Sequence, residues 1–350
     1  MSAESEEGLR FLTVPSFELE SGEVLEEVRQ AFSLLGTLDA GRKNLVLLFH
    51  SLTGNTDAAS WWEGVVGPGL AIDTDRFAVL CPNLLGSCYG TTFRRRPGAA
   101  GPRPTVTTRD QARLVALVMD ELGVASAAFV SGGSLGGMVT LEFAATFPDR
   151  ARAAVAFASP AVQSAWAQGW NLVQRRAIEL GGSEGLAVAR MVGMLTYRTP
   201  DEFDGRFLGQ AGLPEPHAIQ TYLRRHGEKL VARFDTETYL SLMETMDTHD
   251  VGRGRGGAPA ALRAFRGRLV GVGIPGDVLY RAEEVKGWAD GAGASFRYLS
   301  SSHGHDGFLL EKAAVARLIS HELPPGSRPA LPDAVAWRGW IAPAASPLPG

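Results

Sequence analysis

Short apolar runs closed by turn signals punctuate the first half of the chain. Leu45-Val46-Leu47-Leu48-Phe49 and Phe77-Ala78-Val79-Leu80-Cys81 are unbroken, and Pro82 closes the second. Unbroken runs of this length are the pattern of strands covered on both faces. Residues 9–40 mix apolar and polar positions in β-type runs and predict an antiparallel leader, preceded by a frayed stretch over 1–8. Between Thr107 and Leu122 the spacing becomes helical, with Leu114, Val115, Val118, Met119 and Leu122 on one face. Thr107 with Asp110 has the form of a helix start, and Gly123 suits the stop. Strand, turn and helix then follow closely: Ala127–Ser131 is β-like, Gly132–Gly137 a sharp glycine-rich turn, Met138–Phe147 helical up to Pro148, and Ala153–Ala158 a buried strand. Buried strands alternating with helices predict an α/β fold with a mostly parallel central sheet.

From Ala165 to Leu262 the rhythm is helical only, in segments such as Gly169–Leu180, Gly185–Leu195 and Thr236–Asp247. The sheet pattern returns at Arg268–Ile274 and Ser295–Leu299, and a last helix is predicted over Gly307–His321. The chain therefore divides into a first core part (9–164), a helical lid insertion (165–262), a second core part (263–322) and a proline-rich tail (323–350). Prolines at 324, 325, 329, 332, 343, 347 and 349 exclude a regular helix from the tail, whose Trp337 and Trp340 offer points for docking on the body.

Composition narrows the classes. The 350 residues carry 34 Lys+Arg against 38 Asp+Glu, a net charge of −4, so a nucleic-acid-binding domain with its basic face is excluded. At 45% hydrophobic and 21% charged residues, the chain can bury a core. The acidic, polar start has no signal-peptide form, and no apolar run approaches the ~18 residues of a membrane span. Two cysteines, Cys81 and Cys88, make no disulfide framework, so a reducing cytoplasmic setting is expected. The run Arg94-Arg95-Arg96 reads as a solvated loop.

The densest chemical signal is Gly132-Gly133-Ser134-Leu135-Gly136, a G-x-S-x-G pattern between a predicted strand and a predicted helix. That context is the one a nucleophile elbow requires: a strained turn lifts the serine hydroxyl above the sheet, and small neighbours let strand and helix approach. A nucleophilic serine needs a base and an acid that orients it, in the chain order Ser, Asp or Glu, His. Asp277 follows the strand Arg268–Ile274 in the loop Pro275-Gly276-Asp277, and Ser302-His303-Gly304-His305-Asp306-Gly307 follows the next strand. Either His303 or His305 can be the base on this pattern alone; histidines 50, 217, 226, 249 and 321 read as structural or surface residues. Two backbone N–H donors are needed for the oxyanion. Leu135, directly after the nucleophile, and Leu52, in the loop His50-Ser51-Leu52-Thr53-Gly54 after an early strand, are the candidates. No His, Cys and carboxylate cluster has metal-ligand spacing, so no metal is expected.

The residues also resemble the homoserine O-acetyltransferases, acyltransferases of the α/β-hydrolase superfamily, over about residues 10–320. The resemblance is carried by His50 to Gly54 and Trp61-Trp62, by Gly67-Pro68-Gly69 with Ala71 to Asp75, by Cys81-Pro82-Asn83 with Gly86 to Thr92, and by Gly132 to Met138. Asn171 to Ile178 (NLVQRRAI), Met246 to Gly257 (MDTHDVGRGRGG) and Gly304 to Leu309 (GHDGFL) complete it. It implies an α/β-hydrolase fold with an inserted helical lid. It implies Ser134 as acyl-accepting nucleophile, Asp277 as triad acid, and His305 rather than His303 as base. Arg175, with Arg176 as fallback, would bind the amino-acid carboxylate, and Asp306 the ammonium group. The implied activity is transfer of acetyl from acetyl-CoA, bound as a substrate with no tightly held cofactor, to L-homoserine by a ping-pong route in a cytoplasmic homodimer. Serine O-acylation, succinyl-CoA as donor, and plain ester hydrolysis are the neighbouring chemistries. A catalytically dead binding protein is disfavoured by the intact Ser134, Asp277 and His305. Leu135 stands where the family has Met, and the stretch from Phe93 to Val106 differs from the family's longer loop.

Overall fold

The computed structural model describes residues 4–6, 8–209 and 217–323. Its strands are β1 (Glu4–Glu6), β2 (Leu9–Glu18), β3 (Val24–Leu35), β4 (Leu45–Phe49), β5 (Ala78–Pro82), β6 (Thr92–Arg95), β7 (Phe129–Gly133), β8 (Ala153–Phe157), β9 (Arg268–Gly273) and β10 (Ser295–Tyr298). They form one sheet in the order β1-β2-β3-β5-β4-β7-β8-β9-β10, with β6 against β3. From β5 to β10 the pairs are parallel; β1, β2, β3 and β6 join antiparallel.

The helices are α1 (Ala58–Trp61), α2 (Thr108–Glu121), α3 (Leu135–Thr146), α4 (Ala165–Tyr197), α5 (Pro200–Phe207), α6 (Ala218–Val231), α7 (Thr236–Asp247), α8 (Ala258–Arg263), α9 (Ala282–Ala292), α10 (Gly307–Leu310) and α11 (Lys312–Glu322). The unbroken apolar strands make sense against them. Leu45, Leu47 and Phe49 of β4 enter one core with α2, α3, α8 and α9, while Val46 and Leu48 enter a second with α1 and α11. A strand alternates faces, so both sets must be apolar when both faces are covered.

Several local expectations hold. Thr107 caps α2 in a reciprocal capping box with Asp110, and Gly123 takes φ 67 just beyond its end. Others are corrected. Glu4–Glu6 is not frayed but pairs with β2. Arg94 and Arg95 are not loop; they lie in β6, where Arg94 pairs with Glu27 of β3 and Arg95 with Glu23 just before it, and Arg96, past the end of β6, pairs with Glu26. The glycine-rich turn shrinks to Ser134 alone, because β7 runs on to Gly133 and α3 starts at Leu135. The two helices expected over 169–195 do form, as the two halves of α4 on either side of the non-helical Gly182 (φ 56, ψ −124). The last helix breaks at Glu311, between α10 and α11. The insertion after β8 is helical; α8, its last piece, packs on α3 and α9 of the core layer, leaving α4 to α7 over the sheet edge. Trp337 and Trp340 lie outside the described residues. No helix among the described residues is long and apolar enough to cross a membrane.

Candidate active site

Ser134 stands between β7 and α3 with φ 57 and ψ −127. A non-glycine residue in the left-handed region costs about 1–3 kcal/mol and persists only where its surroundings over-determine it. They do so here. A Cβ on Gly136 would overlap the Phe49 carbonyl oxygen, and one on Gly132 would overlap the Gly136 carbonyl, so strand and helix touch backbone to backbone. The Ser134 N–H donates to Phe157 O (3.0 Å), and Ser159 Oγ donates to Ser134 O (2.8 Å), fixing the elbow on β8.

The loop after β4 is held against this elbow. His50 is buried; its Nδ1–H donates to Ser51 O (2.8 Å) and its Nε2 accepts from the Leu84 N–H (3.1 Å). Burial lowers its pKa to about 4, the Ser51 bond opposing, so the ring is neutral at pH 7. Ser51 Oγ donates to Gly133 O (3.0 Å) and ties the loop to β7. Among the described residues the N–H of neither Leu52 nor Leu135 is spent on a protein acceptor, and Leu135 opens α3, where free N–H groups and the helix dipole favour negative charge.

Asp277 lies in the loop after β9. Its Oδ1 accepts from the N–H groups of Leu279 (2.8 Å) and Tyr280 (2.9 Å), and its Oδ2 accepts from His305 Nδ1–H (2.7 Å). His305 sits in a single 3-10 turn, Gly304–Asp306, between the rings of Tyr197, Tyr280 and Phe308. Burial pulls the pKa of His305 down, but the charge and hydrogen bond of Asp277, joined by the charge of Asp306, outweigh it and raise it above the ordinary value. Its Nε2 is buried with no partner in the protein. Phe308 joins this ring to the elbow: it covers Gly133 and lies 5.8 Å from the His305 ring. His303 belongs elsewhere, with Nδ1 3.1 Å from Glu202. Geometry thus assigns the Asp277 carboxylate to His305.

The expectation for Arg175 fares differently. Its guanidinium is 2.5 Å from Asp247 of α7, which also accepts from Asn171 (2.7 Å), so its charge is already matched inside the insertion. Arg176 pairs with Glu179 on the exposed side of α4. The cation beside the candidate site is one the sequence reading missed. Arg190, in the second half of α4, lies 5.7 Å from the centre of the Tyr197 ring, which in turn rests on His305. Among the described residues Arg190 has no carboxylate partner, and its only sequence signal is that seven residues separate it from Tyr197, which puts both on one helix face. Asp306 is at the site, with Oδ2 accepting from Arg198 Nε (3.0 Å); Arg198 also holds Glu202 at 2.8 Å.

Comparison with known proteins identifies the fold and the family. The family pattern of the alpha/beta hydrolase fold matches residues 44–180. A homoserine O-acetyltransferase of Thermus thermophilus is 41% identical over 347 residues, covering 88% of this chain and 89% of the relative. The crystal structure of a homoserine O-acetyltransferase from Staphylococcus aureus superposes with a TM-score of 0.76 at 28% identity, covering 89% of this chain and 94% of that one. An acetylester hydrolase from Corynebacterium glutamicum shares the fold at a TM-score of 0.78 and 19% identity, covering 90% and 95%. With its fold and more than two-fifths of its aligned sequence shared at nearly full coverage, the chain belongs to the homoserine O-acetyltransferase family, acyltransferases built on the α/β-hydrolase fold.

Proposed function

We propose that this enzyme moves an acetyl group from acetyl-CoA to the hydroxyl of L-homoserine through an acetyl ester on Ser134. The observation that carries the reading is the Asp277–His305 pair, with His305 Nε2 unpartnered and Phe308 linking the ring to the elbow. His305 takes the Ser134 proton as Oγ attacks the thioester carbonyl. The oxyanion rests on the Leu52 and Leu135 N–H groups. Collapse breaks the C–S bond, and the CoA sulfur leaves with the proton from His305. Homoserine then enters; His305 takes its hydroxyl proton, the oxygen attacks the acetyl carbon, and Ser134 recovers its hydrogen as O-acetylhomoserine departs. Catalytic hydrogen bonds often close only when substrate is bound, so an open Nε2 suits the resting enzyme.

For the acceptor's charges we assign Arg190, beside the Tyr197 ring that rests on His305, to the carboxylate, and Asp306, next in sequence to His305, to the ammonium. Arg175, matched by Asp247, holds α4 to α7 instead. The chemistry needs no resident cofactor or metal, and the site of action is the cytoplasm. The enzyme works as a homodimer through α4, where Trp166, Val173 and Leu180 recur at heptad spacing and are 55%, 52% and 79% exposed. Val173→Lys with Leu180→Lys should give a monomer by sedimentation, and a wild type that is already monomeric removes this point.

Thiol release from acetyl-CoA tests the function. Release should accelerate at least tenfold on adding homoserine, with O-acetylhomoserine formed in equal amount. If release is indifferent to homoserine and to other hydroxy-amino acids, the enzyme is a hydrolase. If serine outcompetes homoserine, or succinyl-CoA outcompetes acetyl-CoA, the chemistry stands and the stated substrate falls.

A further inference from the structure

Arg233, in the linker between α6 and α7, reaches out of the lid to the loop that carries Leu52. Its Nη1 donates to Thr53 O (2.9 Å). Tyr89 holds it there: the same Nη1 donates to the Tyr89 hydroxyl (2.7 Å), and that hydroxyl donates to Arg233 O (3.0 Å). The Tyr89 ring in turn rests on buried Phe234, with centroids 5.8 Å apart. The carboxylate of Asp235, two residues on, is taken up by the start of α7, where it accepts from the Thr238 N–H (2.7 Å) and Oγ1 (2.8 Å).

What Arg233 touches is one end of a chain of peptide groups. The Thr53 carbonyl and the Gly54 N–H belong to one peptide, and that N–H donates to Ser51 O (2.9 Å). The Ser51 carbonyl and the Leu52 N–H belong to a second, and Leu52 N–H is the group assigned to the oxyanion. Ser51 O also accepts from His50 Nδ1–H (2.8 Å). A donor on a peptide carbonyl draws electron density from the N–H of the same peptide and makes it a stronger donor; a charged donor does this more than a neutral one. The turn that carries the chain is tight, since a Cβ on Gly54 would lie 2.8 Å from His50 Cβ. Arg233 is exposed, so water screens its charge at a distance, and the bonded path is what reaches the site.

We propose that Arg233 is a positioning residue for the oxyanion hole. Its bond to Thr53 O sets the orientation and donor strength of the Leu52 N–H through the two peptides between them, so the hole is complete only while the α6–α7 linker is seated on the loop. The inference rests on Leu52 being an oxyanion donor. It gives the lid a part in both half-reactions, because each passes through an oxyanion at the same place.

Kinetics of the two half-reactions test it. Arg233→Met keeps the stem and removes the donors. Its CoA burst on mixing with acetyl-CoA, and its saturated transfer to homoserine, should both slow by about tenfold, less than the roughly 10²–10³-fold that outright loss of an oxyanion donor costs. Half-saturation of the burst by acetyl-CoA should stay as in the wild type. Arg233→Lys, which restores a charged donor, should recover most of the rate. Tyr89→Phe, which removes the hydroxyl that holds Arg233, should slow both steps by less, and it decides the matter if Arg233→Met does not fold. A folded Arg233→Met with the wild-type burst rate overturns the inference. So does a loss confined to half-saturation, which would make Arg233 a binding residue for the donor. The α-hydroxy analogue of leucine installed at position 52 puts an ester oxygen in place of the N–H. On that background Arg233→Met should add little, because the two changes act on one group. If the ester alone leaves both rates unchanged, the oxyanion role of Leu52 fails and the inference with it. If the ester is slow and Arg233→Met is not, only the inference fails.

Discussion

Two carboxylates act on the His305 imidazole, and they can be separated by experiment. Asp277 holds Nδ1–H directly, whereas Asp306 acts through its charge alone. Asp277→Asn should cost on the order of 10⁴-fold in turnover, as loss of an orienting triad acid does, and Ser134→Ala should remove both transfer and the acetyl adduct seen on mixing with acetyl-CoA. Asp306→Asn should behave otherwise. Because the pKa of His305 is raised, the base is protonated at low pH and acylation falls as pH drops through that value. Removing one of the raising charges moves this acid limb to lower pH, readable as the CoA burst without acceptor. A limb that stays put would leave Asp306 without electrostatic influence on the base. Arg190→Ala should raise the homoserine KM more than tenfold, since losing one partner of a desolvated charge pair costs about 2–5 kcal/mol, while sparing the burst. Arg175→Ala should instead lower stability, with the midpoint of denaturation as the readout; the reverse pattern would restore Arg175 as the clamp.

At the scale of elements, the elbow depends on how α3 is anchored. Glu142 of α3, its side chain 1% exposed, pairs with Arg109 of α2 at 2.9 Å and with Arg255 at 2.6 Å. Arg255 lies in the stretch Met246 to Gly257, so part of that motif braces the nucleophile helix rather than touching substrate. Glu142→Ala should destabilise by about 3 kcal/mol, the lower end for a broken buried pair because both arginines keep some solvent, measured from denaturant midpoints at unchanged slope. A loss below 1 kcal/mol would make the pairing incidental. The elements that formed as expected are those whose apolar period belongs to one environment, such as β4 and α7. The misplaced one is decided by a neighbour far away in the chain: β6 pairs antiparallel with β3, and its Arg94 and Arg95 meet Glu27 of β3 and Glu23 just before it.

For the whole molecule, His50 and His249 set a pH range. Both are buried and neutral, each with its pKa lowered to about 4 chiefly by burial. His249 accepts from Thr108 Oγ1 and donates to Pro160 O, as His50 bridges Leu84 and Ser51. In the unfolded chain both would protonate near pH 6.5. The unfolded state therefore binds more protons between pH 6.5 and 4, and stability falls as pH falls through that window. Each contributes roughly 1.4 kcal/mol per pH unit. The guanidinium midpoint should drop steeply from pH 7 to pH 5, and a flat profile would mean that these rings protonate in place.

What the sequence alone determined was local. Unbroken apolar runs, the Thr107–Asp110 cap and the glycines around Ser134 specify strands, a helix and an elbow because each rests on backbone geometry within a few residues. The order Ser134, Asp277, His305 was legible for the same reason, since each residue directly follows a recognisable strand. Only the tertiary structure could decide between partners far apart in the chain. That Asp247 neutralises Arg175, and that Arg190 stands beside His305 through Tyr197, both depend on how helices from the insertion fold back over the sheet edge, and the Asp277–His305 bond depends on two core loops meeting. A charge has no period along the chain; what it does is set by the side chain that packing brings opposite it.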